Sequence, residues 1–178
     1  MKRIFKMATV GVAIFGGGAI AVGALCFAVG ARVNTSKSIP VGLYWTSDKP
    51  VEKGVYVMFC PQQAGVFLEA KERGYLTAGF CPGNFGYMMK KVLAAKDDVV
   101  EVTDAGVFVN GAMLPLSTPL TVDLAGRPLP RFQSSSYVIG NSEVLLMSDV
   151  SGTSFDGRYF GPINRSQIKT VIVPVLTW

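Results

Sequence analysis

The chain has 178 residues, 49% of them hydrophobic and 16% charged, with a formal charge of +5; that is enough for one anchor and one average domain, with no room for a second enzyme domain. It contains no histidine and only three cysteines, which excludes Ser–His–Asp and Cys–His catalysis and leaves a poor ligand set for zinc, so neither metal nor cofactor is expected. The lysines and arginines are scattered without a long run, a pattern that does not point to nucleic acid as a partner.

Residues 1–6 carry Lys2, Arg3 and Lys6, and residues 7–31 carry no charge at all. An uncharged stretch of that length, helical at about 1.5 Å per residue, can cross roughly 30 Å of hydrocarbon. The preceding positive charges predict a cytoplasmic N-terminus and an exported domain over residues 32–178. The expected location is therefore a bacterial inner membrane, with the domain on its periplasmic face. A cleavable signal peptide is the alternative reading of the same segment. Cys26 falls inside the apolar run, so Cys60 and Cys81 are the only cysteines of the exported part. In an oxidising compartment they predict one disulfide, worth roughly 3 kcal/mol, against the alternative of two buried thiols.

Beyond the anchor the sequence predicts short strands. Residues 54–59 (GVYVMF) alternate and are rich in β-branched and aromatic side chains. Residues 62–73 predict a helix closed by Gly74. Residues 87–93 predict a strand. Residues 99–103, 107–109 and 112–114 predict a meander through turns at Asp104–Gly106 and Asn110-Gly111. Residues 116–136 are rich in Pro and Ser and read as an irregular excursion. Residues 137–139 and 144–147 read as a hairpin around Gly140-Asn141-Ser142, and residues 168–176 as an edge strand, because Pro174 interrupts them. The expected fold class is mainly β, a β-rich catalytic domain behind one N-terminal helix.

Three segments carry candidate chemistry: Ser36-Lys37-Ser38-Ile39-Pro40-Val41-Gly42-Leu43-Tyr44, Lys90-Lys91-Val92, and Ser154-Phe155-Asp156-Gly157-Arg158-Tyr159-Phe160-Gly161-Pro162. Each alone has an ordinary structural reading as a turn, a surface lysine or an ion pair. In this order, behind one anchor and without histidine, they resemble the type I signal peptidases, and more specifically the conjugative-transfer (TraF-type) signal peptidases. The resemblance implies a serine endopeptidase in which Ser38 is the nucleophile, Lys90 the general base and Asp156 a required acid. It further implies Arg158 as the partner of Asp156, Ser154 as a hydroxyl that orients the lysine, and Ser36 as an oxyanion-hole donor. The implied partner is a protein substrate, the pilin precursor of a conjugation system, with possible cyclisation of the product. A general signal peptidase and a non-catalytic anchored assembly subunit are the alternatives. The chain departs from the general pattern in having only Ile39 between Ser38 and Pro40, Lys96-Asp97-Asp98 where a Gly is common, and Gly157 where many relatives carry Ser.

The chemistry asks for this pairing. A serine hydroxyl attacks only if something takes its proton, and a lysine can do so only when neutral. An apolar pocket lowers its pKa by disfavouring the charge. Tyr87, Met88, Met89, Val92 and Leu93 surround Lys90 in sequence. Strand alternation puts Lys91 on the opposite face.

Overall fold

The computed structural model describes residues 2–178, with side chains described from residue 15 onward. Helix α1 (Lys2–Ala28) leads into strands β1 (Ala31–Asn34), β2 (Gly42–Ser47) and β3 (Tyr56–Phe59), then helix α2 (Val66–Glu72). Strands β4 (Met88–Ala94), β5 (Val99–Val102), β6 (Val107–Val109), β7 (Ala112–Met113), β8 (Ser134–Val138) and β9 (Glu143–Met147) follow. The short helix α3 (Gly157–Phe160) and strands β10 (Ile163–Asn164) and β11 (Ile168–Thr177) complete the chain. The strands form a seven-stranded sheet in the order β1-β2-β11-β3-β4-β9-β10 and a four-stranded sheet in the order β7-β6-β5-β8.

The expected anchor over residues 7–31 lies partly outside the described side chains. The helix stops at Ala28, and Ala31 already pairs with Trp45 as part of β1. The break is at Gly30, whose φ of 111° suits glycine and where a Cβ would lie 2.4 Å from the Thr46 hydroxyl. Arg32 caps the last turn by donating to the Phe27 carbonyl at 2.7 Å, a cation set against the negative end of the helix. Among the described residues no helix is long and apolar enough to cross a membrane.

Strand β9 does not form a hairpin with β8. The turn at Gly140 forms, with Glu143 N–H donating to the Gly140 carbonyl, but the two strands leave it for different sheets. β8 pairs with β5, and β9 lies between β4 and β10. The cause is burial on both faces of β9. Val144 and Leu146 join one core cluster with Phe59, Phe67, Met88 and Val92, while Leu145 and Met147 join a second with Ala94, Val100, Val107 and Ile139. A run of large apolar residues belongs inside a sheet and between two layers.

Nor is β11 an edge strand. It sits between β2 and β3. Its pairing with β3 runs from Ile168 to Ile172, and Pro174 lies beyond that ladder where only β2 is opposite. The missing N–H of Pro174 therefore costs no bond on the β3 side.

The predicted disulfide is present: Cys60 and Cys81 are joined at an S–S distance of 2.06 Å. It ties the end of β3 to the loop before β4, across α2.

Candidate active site

Strand β4 alternates buried and half-buried residues, with Met88, Lys90, Val92 and Ala94 inward. Lys90 is thus placed in a core position by the pleat alone, and only 3% of it is accessible. Burial pushes its pKa from the ordinary 10.5 down to about 8. The Asp156 carboxylate pulls it up, and the Arg158 guanidinium pushes it down. Lys91, one residue on, points away. It donates to the Asp149 carboxylate at 2.6 Å, and that bond raises its pKa.

Ser38 lies on the turn between β1 and β2. Two features hold this turn. Ile39 is fully buried in a small cluster with Tyr44, Met58 and Ile172. Asn34, the last residue of β1, is 4% exposed and clamps the turn from inside. Its Nδ2 donates to the carbonyls of Ser36, Ile39 and Pro40 at 2.7, 3.0 and 3.0 Å. Its Oδ1 accepts from the backbone N–H of Ser36 at 3.1 Å and from the Ser36 hydroxyl at 2.9 Å. The Tyr44 hydroxyl adds a bond to the Pro40 carbonyl at 2.6 Å, and burial pushes its pKa up to about 12, so it stays a donor.

Asn34 was not legible as a site residue, and Tyr44, at the end of the first segment, carried no expected role. An asparagine before a Ser-rich turn reads as ordinary turn chemistry, and a tyrosine in a strand reads as core. Ser36 is exposed at the cleft, and its hydroxyl proton is directed to Asn34. Serving an oxyanion would require it to release that bond.

Ser154 is 5% exposed, and its Oγ lies 3.5 Å from the Ser38 Oγ as the donor. Ser38, Lys90 and Ser154 all line one cleft of about 1050 Å³, together with Ser36, Tyr87, Met88, Met89 and Tyr159. The sequence segments around residues 38, 90 and 154 therefore converge in space.

Asp156 and Arg158 are not among the residues that line this cleft; both are fully buried behind it. Asp156 caps α3 and receives Arg158 Nε and Nη2, each at 2.8 Å, with the Ser148 N–H at 3.0 Å. The guanidinium also donates to the carbonyls of Leu116, Gly152, Ser151 and Ser154 at 2.8, 2.9, 3.1 and 3.2 Å. Every direction of the fork is used, so this buried charge pair is satisfied rather than orphaned. The pair sets the loop that carries Ser154 and contributes to the field at Lys90.

The excursion between β7 and β8 forms another wall of the cleft. Leu120, Val122, Leu124 and Leu129 belong to its lining, with Arg73, Tyr75 and Leu76 from the end of α2. Nothing in the Pro- and Ser-rich composition of this segment points to the cleft.

Residues 3–177 match the family described as signal peptidase, peptidase S26. A protein of Escherichia coli called plasmid transfer protein TraF is 71% identical over 178 residues, covering all of both chains. A conjugal transfer protein TraF of Agrobacterium fabrum is 37% identical over 152 residues, 84% of each chain. A solved signal peptidase I of Enterococcus faecalis shares 18% identity, covering 71% of this chain and all of that one, with a TM-score of 0.41. With nearly every residue inside the match and a full-length relative at this identity, the chain belongs to the signal peptidase (peptidase S26) family, alongside the TraF proteins of plasmid transfer.

Proposed function

We propose that this chain is a membrane-anchored Ser–Lys endopeptidase that processes an exported precursor, the pilin of a conjugative transfer system. The uncharged segment over residues 7–31, part of which lies outside the described side chains, is the anchor and stays in the inner membrane, and the domain from residue 32 onward works on the periplasmic face. The observation that carries the reading is a lysine buried in an apolar strand face, with its pKa lowered to about 8, lining the same cleft as Ser38. At pKa 8 roughly a tenth of the amine is neutral near pH 7, against fewer than about one in a thousand for an ordinary lysine.

In this mechanism the Lys90 amine takes the proton as Ser38 Oγ attacks the scissile carbonyl. Ser154 orients the two groups. The Ser38 backbone N–H, joined by Ser36, stabilises the oxyanion. Lys90 then returns the proton to the leaving amine, and an acyl-enzyme remains on Ser38. Water releases a linear product, whereas attack by the product's own N-terminal amine gives a cyclic one lighter by one water. The pilin assignment is supported by the names of the transfer-protein relatives.

The test is processing of a pilin precursor by membranes containing the full chain, read by mass. Ser38→Ala and Lys90→Arg should abolish it, because arginine stays charged, while Lys91→Ala should retain most of it. The rate should rise with pH through about 8 as Lys90 loses its proton. Processing by Ser38→Ala at the wild-type rate would leave a non-catalytic assembly role. Equal cleavage of ordinary secretory precursors would make the chain a general signal peptidase.

A further inference from the structure

The wall contributed by the excursion between β7 and β8 is more rigid than an irregular loop needs to be. The Asp123 carboxylate is its hub. It accepts from the backbone N–H groups of Ala125 and Arg127 at 2.9 and 2.8 Å, from Arg127 Nε at 2.6 Å, and from the Tyr75 hydroxyl. Gly126, with φ 75°, closes the turn, and an antiparallel bridge joins Val122 to Pro128. Arg73 Nη1 donates to the Pro128 carbonyl at 2.7 Å, and the Leu120 N–H donates to the Tyr159 hydroxyl at 3.1 Å, so both arms are fastened to the body. The Tyr75 and Arg127 bonds hold Asp123 well below the usual carboxylate range, so the hub stays charged at any working pH.

This well-fastened turn carries bare apolar side chains. Leu124 is fully exposed, Val122 is 47% exposed and Leu120 is 40% exposed. Folding leaves all of Leu124 and close to half of Val122 and Leu120 in solvent, although the backbone beneath them is ordered by polar contacts. A pre-ordered apolar group in a cleft binds without first losing conformational entropy.

We infer that the Val122–Leu124 tip is a specificity-determining subsite that receives an apolar side chain of the substrate peptide, away from the scissile bond. It rests on the reading of Ser38 as the peptidase nucleophile. The occupant is the peptide because the tip and Ser38 line one continuous cleft. The charged groups beside the tip are spent on each other: Arg73 on Glu69, and Arg127 on Asp123. What is left to recognise a side chain is apolar.

The experiment uses the full chain in detergent micelles. Soluble peptides span the cleavage site and carry Leu, Ala or Lys at one position at a time. Leu124→Glu and Val122→Glu change exposed positions, and their melting temperatures should match wild type. For one position in the peptide, kcat/KM for Leu should fall roughly tenfold through KM, and the Lys peptide should gain. An unchanged preference profile in both variants overturns the inference, and so does a uniform loss across all peptides. A defect confined to lipid vesicles and absent in micelles assigns the tip to lipid and also overturns it. If wild type shows no Ser38-dependent cleavage of any peptide, the peptidase reading itself fails and this inference falls with it.

Discussion

Replacing Lys90 with methionine should abolish catalysis and make the protein more stable. The side chain is 3% exposed on an apolar strand face, and methionine has a similar length without a charge to desolvate. The fall in pKa from 10.5 to about 8 corresponds to a folded-state penalty of about 3 kcal/mol on the ammonium. Below pH 8 the amine is charged in both folded and unfolded chains, and the whole penalty is felt. Between pH 8 and 10.5 the unfolded chain holds a proton that the folded one lacks, so wild-type stability climbs with pH. Above that window the amine is neutral in both states and the penalty is gone. The advantage of Lys90→Met is therefore fully present below pH 8 and fades by pH 10.5. Other titrating groups are common to both proteins and cancel in the difference. Urea unfolding of the two proteins at roughly pH 7, 8.5 and 10 measures it directly. A difference that does not vary with pH, or a variant less stable than wild type at neutral pH, would refute the argument that burial sets the amine's protonation.

Asn34→Ala should lower kcat by roughly a hundredfold with little change in KM, because it frees the turn that aims Ser38 while leaving the cleft walls in place; peptide kinetics at wild-type rate would count against the clamp. Arg158→Met should cost about 3–5 kcal/mol by stranding the buried Asp156 charge, and adding Asp156→Asn should restore part of that loss in a double-mutant cycle. Replacing Cys60 and Cys81 with serine should cost roughly 3 kcal/mol in urea unfolding. Wild type in reductant should fall to a similar midpoint.

The parts of the fold that were legible are those in which local pattern decides. The alternation in residues 54–59, the helical spacing before Gly74 and the turn at Asn110-Gly111 give β3, α2 and the β6–β7 reversal within a few residues. The partner of a strand was less legible, because a turn signal reports a reversal of the chain and not who lies alongside. Gly140 turns the chain as expected, yet β9 goes to the double-sided core that its Val-Leu-Leu-Met run requires. A proline in a strand pattern reads as a strand-wide property, whereas in β11 it matters only opposite the ladder it faces. In the site, residues 38, 90 and 154 are marked by the order of their boxes, which together resemble the signal peptidase pattern, and not by any one box alone. Asn34 did not, since its role lies in five hydrogen bonds that only the folded turn brings to one side chain. The apolar residues of the excursion were hidden by the Pro- and Ser-rich composition around them.

The middle position of β11 has a consequence for how the site is held together. The final ten residues of β-structure are the splice between the β1–β2 ribbon, which bears Ser38, and the β3–β4 ribbon, which bears Lys90. Gly42 leaves no space for any side chain there, because a Cβ would lie 2.1 Å from the Leu176 carbonyl oxygen. The ribbons that carry Ser38 and Lys90 are thus joined within the sheet only through β11. Fraying of β11 would uncouple the two residues of the proposed dyad while leaving both ribbons paired.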